Sequence, residues 1–112
     1  MKRVTCYIRP HRLEQVKSAI AAIGVTGLTV SDIRGRGNSP EASEWMGTDG
    51  PVVTLPIRAK IEVAVPDDLV EQVIEQIIEN ARTGESGDGK IFVEPLLDAM
   101  RVRTGERGDL AI

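Results

Sequence analysis

Aromatic residues, cysteine and histidine are scarce in this chain of 112 residues. Phe, Trp and Tyr make up 3% of the sequence, so the core has to be built from Val, Ile, Leu and Ala, and such a core favours association between subunits. The single cysteine, Cys6, excludes a disulfide framework, suits a reducing compartment and is expected to pack inside a strand. The single histidine, His11, cannot form a metal site with one cysteine and is expected at the surface.

Long apolar runs and a strong excess of one charge are absent as well. No segment is apolar for long enough to span a membrane and none resembles a signal peptide, so we expect a soluble cytoplasmic protein without direct membrane insertion. Lys and Arg number 14 against 17 Asp and Glu, and the net charge of −3 argues against general nucleic-acid binding. The length corresponds to one domain, residues 1–112.

Hydrophobic periodicity divides the first part of the chain into a strand, a helix and a second strand. Apolar and polar residues alternate over residues 4–9, which predicts a half-buried strand that Pro10 ends. Apolar residues at helical spacing follow over residues 13–23, and Gly24 is placed to be the left-handed C-terminal cap. A second strand is predicted at residues 27–34.

The second part repeats this pattern. Alternation resumes over residues 57–65, and a helix is expected after Pro66, where Asp68-x-x-Glu71 has capping-box spacing. A fourth strand is predicted at residues 91–94 and a short extended piece at residues 100–103. The order βαββαβ predicts an α+β ferredoxin-like fold, in which both helices cover one face of a four-stranded antiparallel sheet.

The connection between the second and third strands has no periodicity. It runs from Gly35 to about Thr54 and contains one large apolar pair, Trp45-Met46. A connection of this length in a compact domain is usually functional. Trp45 and Met46 either anchor a partner protein or pack against their own domain.

A glycine-rich segment, TGESGDGK, occupies residues 83–90. Glycines at this density allow backbone N–H groups to turn inward and bind an anion, and Lys90 adds a point charge suited to phosphate. The spacing from Gly84 to Lys90 fits G-x-x-x-x-G-K. However, Ile91 replaces the Mg²⁺-binding hydroxyl and the segment connects a helix to a strand, so it is not a P-loop. We interpret it as a phosphate cradle without NTPase machinery; the alternative is a plain turn.

Two pairs of basic residues recur at i, i+2 spacing, Arg58 with Lys60 and Arg101 with Arg103. In an extended segment the side chains of such a pair project from the same face. Together with Lys90, both pairs could converge on one polyphosphate. The alternative is a set of solvated surface cations paired with acidic residues.

Several of these motifs together closely resemble the PII signal-transduction proteins. They are MKRVTCYIRPHRLEQVKSAIAAIGVTGLTV at the beginning, VPDDLVEQVIEQII before the glycine-rich segment, TGESGDGKIFV, and RVRTGE at residues 101–106. The resemblance covers nearly the whole chain. It implies a non-enzymatic homotrimer with a T-loop at about residues 37–55, a B-loop at about 83–90 and a C-terminal loop at about 101–112.

The resemblance also implies a site for ATP, ADP or AMP in each cleft between neighbouring subunits. Whether Mg²⁺ accompanies ATP is left open. The residues implied are Gly27, Leu28, Thr29, Glu62 and Ala64 around the base, Gly35 and Gly37 at the entry to the T-loop, and Gly87, Asp88, Gly89, Lys90, Arg101 and Arg103 at the phosphates, with Arg58 at the end of the T-loop.

The T-loop departs from the family pattern. Ser39 stands where 2-oxoglutarate-sensing members use a glutamine to complete Mg²⁺-ATP-2-oxoglutarate coordination, and Arg58 corresponds to their lysine. Pro51 and Asp49 stand where other members have a modified tyrosine and a modified serine, so covalent switching is not expected at these positions. An altered loop fits the PII-like, carboxysome-associated branch that is tied to bicarbonate.

The leading hypothesis is a sensor of the adenylate state with bicarbonate as a second anion. Its T-loop would dock on a membrane transporter or an enzyme. The alternatives are a nitrogen regulator that senses 2-oxoglutarate and ATP, a slow ATPase, and an RNA-binding module. The ATPase would have only Glu62 or Asp88 as a base near the cradle, and the RNA-binding module would need more stacking aromatics than Tyr7 and Phe92.

Overall fold

The computed structural model describes residues 1–38, 43–45, 51–53 and 55–112, and for residues 43–45 and 51–53 the backbone alone. The strands are β1 (Lys2–Ile8), β2 (Thr29–Arg34), β3 (Ser43–Trp45), β4 (Pro51–Val53), β5 (Ile57–Val65) and β6 (Gly89–Pro95), and the α-helices are α1 (Leu13–Ala22) and α2 (Val70–Ala81). Four strands form one antiparallel sheet in the order β2-β5-β1-β6, and β3 pairs with β4 in a separate hairpin.

The core lies between one face of the sheet and the two helices. In β5 the buried side chains alternate with Arg58, Lys60, Glu62 and Ala64, which remain partly exposed on the other face, called here the open face. The predicted ferredoxin-like fold is therefore confirmed. The buried residues are Val4, Cys6 and Ile8 of β1, Ala59, Ile61, Val63 and Val65 of β5, Val16 and Ile20 of α1, and Val70, Val73, Ile77 and Ala81 of α2, with Val25 between α1 and β2.

Cys6 and His11 lie where their sequence context predicts. Cys6 is only 1% exposed, and burial raises the pKa of its thiol to about 11 because the thiolate is poorly solvated there. His11 is exposed in a 3₁₀ turn, Pro10–Arg12, that precedes α1. Cys6 is thus a packing residue.

The ends of the two helices differ in how well they follow the prediction. Gly24 has φ 95° after the end of α1, which confirms the left-handed cap. The capping box is wrong, because residues Asp67–Leu69 form a 3₁₀ turn and α2 begins at Val70 without a side-chain cap. Asp67 instead accepts a hydrogen bond from the Met1 amino group at 2.5 Å, which joins the beginnings of β1 and α2.

The end of the chain also differs from the prediction. Strand β6 begins at Gly89, two residues earlier than expected, so Lys90 belongs to the sheet. The predicted extended piece at residues 100–103 is wrong. Met100 forms an isolated bridge with Arg107, and the N–H of Gly105 donates to the carbonyl oxygen of Arg101 at 2.8 Å across a turn. A last 3₁₀ turn spans Gly108–Ala111. Over the described ranges, the helices are too short and too polar to cross a membrane.

Candidate functional site

The glycine-rich loop between α2 and β6 is organised around one carboxylate. Asp88 accepts hydrogen bonds from the backbone N–H groups of Thr83 at 2.8 Å and Gly84 at 2.9 Å, and from the Thr83 hydroxyl. These bonds and the nearby Arg9 guanidinium hold the pKa of Asp88 well below its usual range. Asp88 therefore shapes the loop from within, and its carboxylate is already occupied by protein donors.

Arg9, at the end of β1, holds the loop from the other side. Its Nε donates to Asp88 Oδ1 at 3.2 Å and its Nη2 donates to the Ser86 carbonyl oxygen at 2.6 Å. A Cβ placed on Gly87 would lie 3.3 Å from Arg9 Nη2 and 3.2 Å from Arg58 Nη2. Two guanidinium groups therefore meet at Gly87, where a side chain would crowd both.

A row of three side chains crosses the open face next to this loop. Tyr7 in β1 is paired with Lys60 of β5 on one side and with Lys90 of β6 on the other. Lys60 Nζ lies 6.0 Å from the centre of the Tyr7 ring. Phe92 packs its ring against Tyr7 in an edge-to-face geometry, at 5.9 Å between centroids. Lys60 and Lys90 therefore lie on the same face of the sheet. This is a requirement of the predicted site, in which both cations bind one polyphosphate.

The residues predicted around the base lie elsewhere on the sheet. Thr29, at the beginning of β2, is paired with Glu62 of β5, and Ala64 lies two residues further along the same face. Lys60 Nζ contacts Glu62 Oε1 at 2.7 Å, which lowers the pKa of Glu62 and raises that of Lys60. Since β2 and β6 are opposite edges of the sheet, one chain does not bring Thr29 to Lys90.

Arg101 and Arg103 lie on the segment that follows β6. Because β6 runs from Gly89 to Pro95, this segment starts about 20 Å along the strand from the glycine-rich loop. Arg101 contacts Glu106 at 3.5 Å and donates to the carbonyl oxygen of Leu110 at 3.3 Å, both in the same segment. The arginine pair therefore belongs to a segment that leaves the sheet at the end of β6 away from the glycine-rich loop.

The cations of the predicted phosphate site differ in how they are paired. Lys60 is neutralised by Glu62, whereas Lys90 and Arg103 have no carboxylate partner among the residues that the structure describes. The hydrogen bond of Arg58 is to the carbonyl oxygen of Ile57 at 2.9 Å. Within the described part of the chain, Lys90, Arg103 and Arg58 therefore keep N–H donors for an anion.

Several predicted T-loop features fall outside the described residues. These are Ser39, Met46 and Asp49. The backbone of Trp45 pairs with that of Pro51 across the β3–β4 hairpin. Gly35 and Gly37 follow β2, and the N–H of Gly35 donates to the carbonyl oxygen of Pro56 at 3.1 Å, which closes the base of the T-loop. Gly27 and Leu28 directly precede β2.

Sequence reasoning missed Arg9. Arg9 lies two residues after Tyr7 and directly before Pro10, so its side chain is on the open face at the end of β1. The alternation of residues 4–9 places Arg9 on the same face as Tyr7 but does not show that it approaches the glycine-rich loop. Its closeness to the glycine-rich loop, 77 residues away from it at Ser86, depends on the pairing of β1 with β6.

Comparison with known proteins agrees with this architecture. The family model described as "Nitrogen regulatory protein P-II" matches residues 1–106. The chain belongs to this family. It is similar to a PII homologue of Arabidopsis thaliana, with 49% identity over 97% of this chain. The chain spans 56% of the length of that homologue. It is also 42% identical to PII protein 1 of Escherichia coli, with both chains covered completely.

Solved structures show the same fold. The PII crystal structure of Arabidopsis thaliana bound to citrate matches with a TM-score of 0.82 and 47% identity, over 99% of this chain and 91% of that one. A third relative, PII protein 1 of Methanothermobacter thermautotrophicus, is 45% identical over all of this chain and 97% of its own. The resemblance to PII seen in the sequence is therefore confirmed, and the chain is a regulatory signalling protein of the PII family.

Proposed function

We propose that this PII protein is a non-enzymatic sensor of adenine nucleotides that acts as a homotrimer. ATP, ADP and AMP bind in clefts between subunits, and the T-loop transmits the bound state to a transporter or an enzyme. The single observation that carries the proposal is the separation of two unneutralised cations, Lys90 at the beginning of β6 and Arg103 beyond its end.

The triphosphate chain of a nucleotide is short compared with β6, which is about 20 Å long. Two neighbouring chains can therefore supply Lys90 and Arg103 to one ligand more easily than a single chain can. Lys90 from one subunit and Arg103 from its neighbour can meet at one polyphosphate when two chains associate. The base is bound in the same cleft by the β2 and β5 residues of one of the two subunits, among them Thr29 and Glu62.

The glycine-rich loop supplies the first half of the phosphate site. Gly87 has φ 94° and Gly89 has φ 121°, backbone conformations that glycine adopts without strain, and N–H groups in such a turn can bind an anion. Asp88 keeps the loop in this shape through Thr83 and Gly84. Because its carboxylate faces the loop, its contribution to phosphate binding is through its backbone.

The second effector is a small anion bound beside the phosphates. Arg9 and Arg58 converge at Gly87, and a planar guanidinium pairs well with a planar oxyanion. We propose bicarbonate as this anion. The alternative, 2-oxoglutarate with ATP, is compatible with the names of the relatives and with the citrate bound to the Arabidopsis protein.

Titration calorimetry with ATP, ADP and AMP tests the nucleotide site. Lys90→Ala and Arg103→Ala each remove a charge-assisted hydrogen bond, so ADP affinity should fall about tenfold or more in each variant. Lys17→Ala is the matched control, since Lys17 pairs with Glu14 on α1. This variant should bind ADP with the affinity of the parent protein. If Lys90→Ala and Arg103→Ala also bound ADP with the parent affinity, the proposal would be contradicted.

The same titrations identify the anion, and an assay of phosphate release tests whether the protein hydrolyses ATP. Bicarbonate should increase nucleotide affinity in the parent and have a smaller effect in Arg58→Ala. Strong binding of 2-oxoglutarate that depends on Mg²⁺-ATP, without a response to bicarbonate, would instead establish the nitrogen-sensing alternative. If inorganic phosphate is released from ATP as fast as the nucleotide binds and dissociates, the ATPase alternative would be established.

A further inference from the structure

The segment that carries Arg101 and Arg103 has no hydrophobic core of its own. In this C-terminal arm, residues 96–112, no residue is buried, and Leu97 and Val102 are fully exposed, at 103% and 101%. Apolar burial within the chain therefore does not determine the conformation of the arm. Polar contacts have to do so if the two arginines are to be held in fixed positions.

Backbone hydrogen bonds close part of the arm into a loop. The N–H of Arg101 donates to the carbonyl oxygen of Glu106 at 2.9 Å, and the N–H of Gly108 donates to that of Ala99 at 3.0 Å. Met100 and Arg107 form an antiparallel bridge between these two bonds. The turn at the tip, from Arg101 to Gly105, contains Arg103.

One carboxylate sits at the neck of this loop. Asp98 Oδ2 accepts hydrogen bonds from Arg107 Nε at 2.8 Å and from Arg107 Nη2. Asp98 Oδ1 accepts from the backbone N–H groups of Ala99 at 2.8 Å and Gly108 at 3.3 Å. At the neck the two sides are joined through Asp98 and the bond between Gly108 and Ala99, and nearer the tip through the bond between Arg101 and Glu106.

Most ion pairs at a protein surface contribute little to stability, because solvent screens the charges and two long side chains have to be ordered. The Asp98 carboxylate differs from such a pair in that it accepts four hydrogen bonds, two of them from backbone groups that are already ordered. Arg107 is engaged through two nitrogens, which fixes the orientation of its guanidinium as well as its distance. These donors also hold the pKa of Asp98 below its usual range.

The tip of the loop is arranged so that Arg101 keeps free donors. Glu106 is fixed by the Thr104 hydroxyl at 2.8 Å and contacts Arg101 Nη1 at 3.5 Å. With the Leu110 carbonyl on Nη2, the guanidinium is held from two sides. A guanidinium has five N–H donors, so three are left for a phosphate.

We infer that Asp98 and Arg107 are positioning residues, which close the neck of the arm and thereby present Arg101 and Arg103 to the phosphates of a nucleotide bound on the neighbouring subunit. The inference rests on the proposed nucleotide site. Neither residue touches the ligand, so both act through the two arginines. Closing the neck before binding lowers the entropic cost of ordering the arm on the nucleotide.

Asp98→Asn and Arg107→Gln test this role, with Glu94→Gln as the matched control. The asparagine keeps an acceptor for the backbone N–H groups and removes the charge that holds Arg107. Glu94 forms an ion pair with Arg3 at 2.9 Å, outside the arm. We expect ADP affinity to fall about three- to tenfold in Asp98→Asn and in Arg107→Gln, and to remain at the parent value in Glu94→Gln.

Two further comparisons separate positioning from a general loss of stability. The double variant Asp98→Asn/Arg107→Gln should bind ADP no more weakly than the weaker single variant, because the two residues form one unit. In a background that carries Arg101→Ala and Arg103→Ala, Asp98→Asn should have no further effect. Additive losses in either comparison would overturn the inference.

Hydrogen exchange measures the arm without any ligand. Amide exchange over residues 99–108 should be faster in Asp98→Asn and Arg107→Gln, and unchanged in β1 and β5. Unchanged exchange in the arm would show that the neck is closed by other contacts and would overturn the inference. Faster amide exchange in the arm together with an ADP affinity equal to that of the parent would also overturn the inference. If the parent protein binds no adenine nucleotide, the proposed function fails, and faster exchange would then support neck closure alone.

Discussion

A Cβ atom on Gly89 would lie 1.8 Å from the carbonyl oxygen of Tyr7. Gly89 is the first residue of β6 and has φ 121°, so the backbone there turns against β1 in a conformation that L side chains rarely adopt. This approach connects the glycine-rich loop to the end of β1, where Arg9 begins. The position of the loop therefore depends on the absence of one side chain.

Gly89→Ala is expected to destabilise the protein strongly. The added methyl group has to displace the backbone of β1 or β6, and a positive φ adds strain, so we expect a loss of about 3 kcal/mol or more. Urea unfolding at a fixed protein concentration measures it. Gly27→Ala is the matched control, because nothing lies within 4 Å of its Cβ position, and its midpoint should stay close to that of the parent. Similar midpoints for the two variants would contradict the geometry.

Asp88 should make the glycine-rich loop sensitive to acid. Its pKa in the folded chain is lowered, so its contribution to stability is fully present above the ordinary value of 3.8 and is lost as the pH falls below it. The difference in stability between the parent and Asp88→Asn should therefore be largest near neutral pH and narrow progressively below pH 3.8. A difference in stability that stays constant as the pH falls would contradict the prediction.

Cys6 should make the fold sensitive to alkali. The thiol pKa is raised from 9.0 to about 11, so the folded chain keeps a proton that the unfolded chain loses in this range. Its contribution is fully present below pH 9 and is lost as the pH rises to 11, a change of about 3 kcal/mol. Cys6→Ala should lack this part of the pH dependence. Parallel stability curves for parent and variant between pH 8 and 11 would contradict the prediction.

The proposed cleft requires at least two chains, and the proposed assembly is a trimer. Light scattering on a sizing column should give three times the chain mass of 12.2 kDa, or about 37 kDa. Association is also expected because large apolar side chains remain exposed, with Phe92 at 52% and Leu97 at 103%. A stable monomer at micromolar concentration would exclude a site shared between Lys90 and Arg103.

Trp45 provides an optical test of the T-loop. It is the single tryptophan of the chain and belongs to β3, in the hairpin between β2 and β5. If bound nucleotide shifts the T-loop between two states, the fluorescence of Trp45 should change on addition of ADP and again with the second anion. Trp45→Phe should abolish the signal and retain binding. Calorimetric binding without a change in fluorescence would argue against coupling to this segment.

The order of helices and strands could be predicted from the sequence because each element has a local signal. Alternation in residues 57–65 and helical spacing after residue 69 both reflect one buried face, and Gly24 marks a helix end by its own conformational freedom. The motifs TGESGDGKIFV and RVRTGE also indicated the family. The extended piece at residues 100–103 was wrong because Gly105 allows a tight turn that alternation does not reveal.

Local patterns in the chain thus specify the elements, the buried faces and the presence of a cation-rich, glycine-rich segment. The fold adds which side chains from distant parts of the chain lie near one another. Lys60 looked equivalent to Arg58, yet Lys60 pairs with Glu62 while Arg58 meets Arg9 at Gly87. The Lys60–Glu62 contact joins residues two apart in β5, whereas the approach of Arg58 to Arg9 joins two strands and depends on strand order and register, which no short segment encodes.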